Sequence, residues 1–338
     1  MHRPATHAVQ DSIVRSIAAR RSGPVPIVSS RAAHAPVGPT APSRRPPTFE
    51  SNRYNCTASA IIAAPMNITV VVSAYNNWVA LDRTLLGFRC QTLAPVELWV
   101  AEDSHFEEVA ATVAKHRALA PWPIRHITQE NRGYRKPIMM NRAFGDACGE
   151  FVVFTDADCV PRADLLETYA RLARPGTFLA GGSHLSIPEA FHRERLTDAM
   201  IESQQVFDHG WLAAQGIALS RWRLTRSRPL ARTLDLLTAR NSLNGANTGA
   251  WKADILKVGG YDETMGYGGE DRNFGYRMNN AGVRGVRARH SLVWLHLDHK
   301  RGYVDPALKQ ANLDWNREVR RAKQVWPRQT ALPRPAGA

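Results

Sequence analysis

The stretch Glu150-Phe151-Val152-Val153-Phe154-Thr155-Asp156-Ala157-Asp158 decides the fold. Its apolar core is β-forming and does not alternate with polar residues, which predicts a central strand buried on both faces. The strand stops at two carboxylates, and helical spacing resumes over 164–173. Upstream the same grammar repeats. Ile68-Thr-Val-Val-Val-Ser73 is a second buried strand, and Leu81, Leu85 and Phe88 mark a helix over 80–91. Residues 96–101 form a strand that ends at Glu102-Asp103-Ser104, followed by a helix to about 119. Pro121 and Pro123 break the chain before a strand over 124–128 and a helix over 136–147. Strands alternating with helices across 66–180 predict an α/β fold of right-handed βαβ units on a mostly parallel, Rossmann-like sheet. Ligands of such sheets bind beyond the carboxyl ends of the strands. The polar clusters Tyr75-Asn76-Asn77, Glu102-Asp103-Ser104 and Asp156-Ala157-Asp158 all fall there.

The charge is uneven. The chain of 338 residues carries 44 Lys plus Arg against 30 Asp plus Glu, a formal net charge of +14. Residues 1–65 hold eight arginines, no lysine, and only Asp11 and Glu50, so they contribute +6. Rich in Pro, Ser and Ala and without apolar periodicity, this extension is expected to be disordered. It reads as a targeting peptide, as a basic tail, or as a consequence of start-site choice, since Met66 stands directly before the first strand. The remaining +8 suits an anionic substrate or an anionic membrane surface. No nucleic-acid module is legible, so nucleic acid is not the expected partner. Cys56, Cys90, Cys148 and Cys159 show no CxxC spacing. That argues against a zinc ribbon or a disulfide framework and fits a reducing cytosol. No run is long and apolar enough to span a membrane.

The second half, 181–325, is less regular. Trp211 to Arg232 is basic and tryptophan-bearing, and reads equally as an acceptor-side or membrane-contacting surface and as solvated helices covering the sheet. From Asn244 the chain turns Gly- and Asn-rich. A helix then starts near Glu270, strands follow near 284–296, an amphipathic helix covers about 305–324, and a loose tail is expected over 326–338.

Three clusters carry chemistry. Asp156 and Asp158, at i and i+2 on a strand-end turn, can share one hard cation. A bare DxD is more often a turn pair, but its place after a buried strand favours the cation. Gly268-Gly269-Glu270-Asp271 opens a helix whose dipole favours ionised carboxylates, one of which can act as a general base. An ordinary acidic helix start accounts for such a cluster about as well. His296 and His299 follow the apolar run Leu292-Val293-Trp294-Leu295, where imidazole nitrogens suit an Mn²⁺-like ion.

Together these motifs resemble the family 2 inverting glycosyltransferases of GT-A fold. The series Asn247-Thr-Gly-Ala-Trp251, Gly259-Gly-Tyr-Asp-Glu263 and Tyr267-Gly-Gly-Glu-Asp271 is similar to the carboxyl-terminal part of β1,4-galactosyltransferases and of chondroitin-type polymerases. The resemblance covers about 66–300. It implies that Tyr75, in Ser73-Ala74-Tyr75-Asn76, flanks a uracil; many relatives have Pro where Ala74 stands. It implies that Asp103 accepts from the uracil imide, beside Glu102 where an Asp is usual. Arg135, Lys136 and Asn141 would approach the nucleotide and diphosphate. Asp156 would face the ribose and Asp158 would bind the metal, with His296 completing the site in preference to His299. Asp271 would be the base and Glu270 would hold an acceptor hydroxyl or the sugar, in a loop that includes Asn247, Tyr267, Gly268 and Gly269. Tyr267 stands where the galactosyltransferases carry Trp.

The function so implied is metal-dependent transfer, with Mn²⁺ or Mg²⁺, of a hexose or N-acetylhexosamine from a UDP-sugar to a glycan or glycolipid. Family habit places this in cell-surface polysaccharide or lipopolysaccharide synthesis, in the cytoplasm or peripherally on the inner membrane face. Two rivals stand beside it. A decayed binding protein is disfavoured by the intact Asp156, Asp158, Glu270 and Asp271. A nucleotidyltransferase would need a Gly-rich phosphate loop after the first strand, and Ser73 to Asn77 contains no glycine.

Overall fold

The computed structural model describes residues 66–182, 185–238, 243–299 and 305–334, so the extension over 1–65 lies outside the described residues. The strands are β1 (Ile68–Ala74), β2 (Glu97–Glu102), β3 (Ile124–Thr128), β4 (Phe151–Asp156), β5 (Cys159–Pro161), β6 (Thr177–Ala180), β7 (Ser186–Ile187), β8 (Asn247–Trp251), β9 (Arg284–Arg287) and β10 (Trp294–Leu297). Between β1 and β6 run the helices α1 (Trp78–Arg89), α2 (Glu107–Leu119), α3 (Lys136–Asp146) and α4 (Leu165–Leu172). Three short helices follow, α5 (Glu189–Glu194), α6 (Asp198–Glu202) and α7 (His209–Ala214), then α8 (Arg228–Thr238), α9 (Lys252–Lys257), α10 (Glu270–Asn280) and α11 (Pro306–Arg321). None of the described helices is long and apolar enough to cross a membrane.

Seven strands form one sheet in the order β3-β2-β1-β4-β8-β6-β9. β3, β2, β1 and β4 are mutually parallel, β8 runs antiparallel to both β4 and β6, and β9 is parallel to β6. The unalternating strands have the cause expected of them. Val70, Val72, Phe151 and Val153 enter the core on one face, with Leu81, Leu85 and Phe88 of α1. Val71, Val152 and Phe154 enter the core on the other, with Met139, Met140 and Phe144 of α3. Each such side chain contributes on the order of 1.5–3 kcal/mol by leaving water.

A small sheet, β5-β10-β7, stands beside the large one and carries a third core with α5, α6 and α7. β5 lies so close to α1 that a Cβ on Gly87 would come within 2.7 Å of Pro161.

Two departures from the sequence reading matter for the site. The Gly- and Asn-rich stretch after Asn244 contains a central strand, β8. Gly249 hides it, because a Cβ there would meet the rings of Phe151 and Tyr169 at 2.6 Å. The stretch after Trp326 is not loose over 327–332. Gln329 O accepts from Glu263 N, the Thr330 hydroxyl accepts from Asn141, and Leu332 is buried. Its polar sequence hid this, since backbone and hydroxyl groups make most of the contacts.

Candidate active site

The carboxyl ends of β1 and β4 meet at the register pair Ser73 and Asp156. Asp156 closes β4, and one turn later Asp158 feeds β5, the edge strand that pairs with β10. That pairing carries His296 to Asp158. His296 Nε2 lies 3.3 Å from Asp158 Oδ2, and His299 Nε2 lies 2.8 Å from the same oxygen. One carboxylate and two imidazoles thus offer ligand atoms within 4.8 Å of one another. Both histidines take part, where the sequence favoured His296 alone. Asp156 does not join this trio; it groups with Asp158 and Cys159. Burial would raise the Asp158 carboxyl, but the bonds from His296 and His299 outweigh it and hold it well below the ordinary range. A carboxylate ionised at every working pH beside two imidazoles is a donor set for a divalent ion of the Mn²⁺ class. Mg²⁺ favours all-oxygen surroundings.

Gly268 and Gly269 take φ of 102° and 109°, a region that penalises any Cβ. They turn the chain into α10, whose first two residues are Glu270 and Asp271. Glu270 is 5% exposed; its Oε1 accepts from the Tyr134 hydroxyl at 2.6 Å and its Oε2 from Gly268 N at 2.8 Å. Burial, then the neighbouring Asp271, pushes its carboxyl up to about 7. Asp271 is less enclosed. Tyr261 donates its hydroxyl to Oδ1 at 2.9 Å, and Oδ2 keeps no partner among the described residues. Gly245 leaves room for this carboxylate, since a Cβ there would collide with Oδ1.

Lys136 joins the two sides. Its Nζ lies 2.5 Å from Asp156 Oδ1. Burial disfavours its charge, but Asp156, Asp271 and Glu270 hold its ammonium well above the ordinary value. The ring of Tyr134 meets that of Tyr267 edge-on at 5.5 Å. The loop over 129–135 is therefore tied to α10 on one side and to Asp103 on the other. Asp103 accepts from Gln129 Nε2 at 2.6 Å and from Arg135 N. Arg135 donates to Glu130 O. Tyr75 is 42% exposed, packs edge-on against Phe106 at 5.5 Å and accepts from Asn131 at 2.9 Å.

Three residues expected at the substrate have their side chains bonded within the protein. Glu102 is fully buried and accepts from the Ser104 hydroxyl and Phe106 N, with His126 Nε2 at 2.7 Å on its other oxygen. Asn141 is fully buried and bonds Tyr261, Glu263 and Thr330. Asn247 turns inward to the Tyr169 hydroxyl and Leu292 O. In each case a polar side chain at a strand end or helix fastens backbone that the site needs. Tyr134, Tyr261, Gln129 and Gly245 were missed. Tyr261 sits inside a motif already quoted and Tyr134 stands directly before Arg135, but only their long-range bonds reveal them.

Residues 69–235 match the family model described as glycosyl transferase family 2. The chain belongs to that family. Residues 231–300 of this family 2 chain match a second model, described as the N-terminal domain of galactosyltransferase. Among curated relatives, validoxylamine A glucosyltransferase of Streptomyces hygroscopicus subsp. limoneus is 24% identical over 272 residues, covering 77% of this chain and 58% of that protein. Chondroitin synthase of Escherichia coli is 23% identical over 241 residues, covering 66% of this chain and 34% of that one. The chain thus spans about a third to three fifths of the length of these relatives. Among solved structures, S. aureus TarS 1-349 in complex with UDP-GlcNAc aligns with a TM-score of 0.52 at 16% identity, over 74% of this chain and 65% of that one. GalNAc-T7 with UDP, GalNAc and Mn²⁺ aligns with a TM-score of 0.53 at 14% identity, over 75% and 48%. These likenesses show the fold, which is GT-A.

Proposed function

We propose that the family 2 chain is an inverting glycosyltransferase that moves a hexose or N-acetylhexosamine from a UDP-sugar to a hydroxyl of a glycan or glycolipid. The acceptor belongs to cell-surface polysaccharide or lipopolysaccharide synthesis at the cytoplasmic face of the membrane. The observation that carries the reading is the convergence on Asp156 of Asp158, from the trio with His296 and His299, and Asp271, from the start of α10, both of which act on its charge. The UDP compounds in the two structural neighbours support the donor class.

Asp158, His296 and His299 would hold a divalent cation. The chemistry such an ion supplies when bound is neutralisation of the charge that gathers on a departing diphosphate. Tyr75 presents its exposed ring to the base of the donor. Asp103 acts through the loop that it fastens, setting Arg135 and Lys136 beside the diphosphate. Asp271 Oδ2 takes the proton from the attacking acceptor hydroxyl while Tyr261 steadies Oδ1. Glu270 orients the acceptor or the sugar. A single displacement on the face opposite the leaving group inverts the anomeric centre, and no enzyme nucleophile is required.

The test is release of UDP from a panel of UDP- and GDP-sugars. Wild type should turn over one UDP-sugar only with a divalent cation present. Asp271→Asn should lower kcat by about 10²–10⁴ while sparing donor binding. Donor binding with equal turnover in wild type and Asp271→Asn would remove Asp271 from the chemistry; no binding of any nucleotide would end the reading.

A further inference from the structure

Helix α8 is turned inside out. Its anchor is an acid: Asp235 is fully buried, with Oδ1 accepting from His290 N at 2.6 Å and Oδ2 from the Ser291 hydroxyl at 2.6 Å. Of its four leucines Leu230 and Leu234 are half-buried, while Leu236 is 55% and Leu237 75% exposed. A helix on a water-facing surface buries its leucines and exposes its aspartate. The tryptophan upstream shares the arrangement. His290 places Nδ1 3.2 Å from Trp222 O and Nε2 3.0 Å from the Thr238 hydroxyl, so the end of α8 and the exposed Trp222 are neighbours. Arg221 lies over the Trp222 ring at 4.6 Å and Arg226 is exposed, while the exposed Arg228 pairs with Glu167 at 2.5 Å. Across 219–238 there are five arginines and one acid, and that acid is the buried Asp235.

We infer that Trp222, Leu236 and Leu237, with Arg221 and Arg226, form a docking face for an anionic phospholipid bilayer. Leucine and tryptophan enter the boundary between headgroups and acyl chains, while arginines meet the phosphates. A second copy of the chain would set arginines against arginines, since a two-fold contact brings the same patch to itself. A neutral apolar partner would leave the arginines unmatched. The face is also close to the chemistry. The chain runs from Thr238 to Gly245, beside Asp271, in seven residues, a reach of at most about 25 Å. This deepens the proposed function, and rests on it only for placing the acceptor at a membrane.

The test is flotation of the full chain with vesicles of phosphatidylcholine alone, or with about one third phosphatidylglycerol. Wild type should float with the anionic vesicles and fall away as salt rises. Replacing Trp222, Leu236 and Leu237 together by Ser should lower partitioning at least tenfold. Arg221→Ser and Arg226→Ser should each lower it about fivefold. Trp78→Ser with Leu119→Ser, exposed apolar residues elsewhere, should change nothing and serves as the control. Failure of wild type to float overturns the inference. So does equal flotation of the triple variant, which would place the contact elsewhere, or loss of self-association in that variant, which would give the face to a second copy. UDP release, measured without vesicles, keeps the failure of catalysis separate from the failure of docking.

Discussion

Lys136 Nζ and Asp156 Oδ1 meet at 2.5 Å where the loop before α3 reaches the end of β4. The same ammonium lies in the field of Glu270 and Asp271, so one cation serves three buried or half-buried carboxylates. Removing one partner of a buried pair costs about 3–5 kcal/mol. Lys136→Met should therefore unfold at markedly lower denaturant, and the loss should be largest above pH 7, where Glu270 too is ionised. Chemical denaturation at pH 5 and pH 8 checks both statements.

The donor trio joins two sheets, since Asp158 follows β4 and His296 lies on β10. A divalent ion that binds the folded chain should raise its Tm, and EDTA should reverse the gain. Two imidazoles in the set favour Mn²⁺ over Mg²⁺. His296→Ala and His299→Ala should each weaken Mn²⁺ binding by at least tenfold in calorimetric titration, and Asp158→Asn should abolish it.

Glu270 gives the fold a pH slope. Its carboxyl sits at about 7 in the folded chain against 4.5 ordinarily. The folded state then holds a proton that the unfolded state has lost, so stability falls as pH rises from about 4.5 to 7. The full effect is about 3 kcal/mol at most. Glu270→Gln should flatten that slope, whatever it does to absolute stability through the bonds to Tyr134 and Gly268. Tm measured every half unit between pH 4.5 and 8 reads the difference directly.

Asn141 separates a structural role from a binding one. It ties α3 to Tyr261, Glu263 and Thr330 with no side-chain atom left over for a donor. Asn141→Ala should cost about 2–4 kcal/mol of stability, since several buried groups lose their partner. Donor KM, measured well below the new Tm, should stay within twofold. A large rise in KM with unchanged stability would restore Asn141 to the nucleotide site.

Much of this was legible in the sequence because the parallel half obeys local rules. Val70 to Val72 and Phe151 to Phe154 are apolar at consecutive positions because both faces of their strands are covered. Asp158, His296 and Asp271 stood out because charge or imidazole follows directly on an apolar run or a glycine pair. What stayed hidden depends on distance along the chain. β8 owes its strand state to Phe151 and Tyr169 crowding Gly249, and no propensity reports that. Glu102, Asn141 and Asn247 have the right chemistry for a ligand, yet their partners lie within the protein. Only the direction of a side chain distinguishes the two roles.

The packing of 327–332 against Asn141 and Glu263 bears on how the molecule is made. Strands β1 to β4 leave the ribosome first and can pair among themselves in the order β3-β2-β1-β4. Asn141, on the helix packed over that early sheet, gains Thr330 only after 189 further residues have been added. Until then Asn141 lacks the last of its three partners, Tyr261, Glu263 and Thr330. The fastening of α3 therefore comes long after the strands beneath it can pair, and a chain stopped before Thr330 would keep those strands while α3 stayed unlatched.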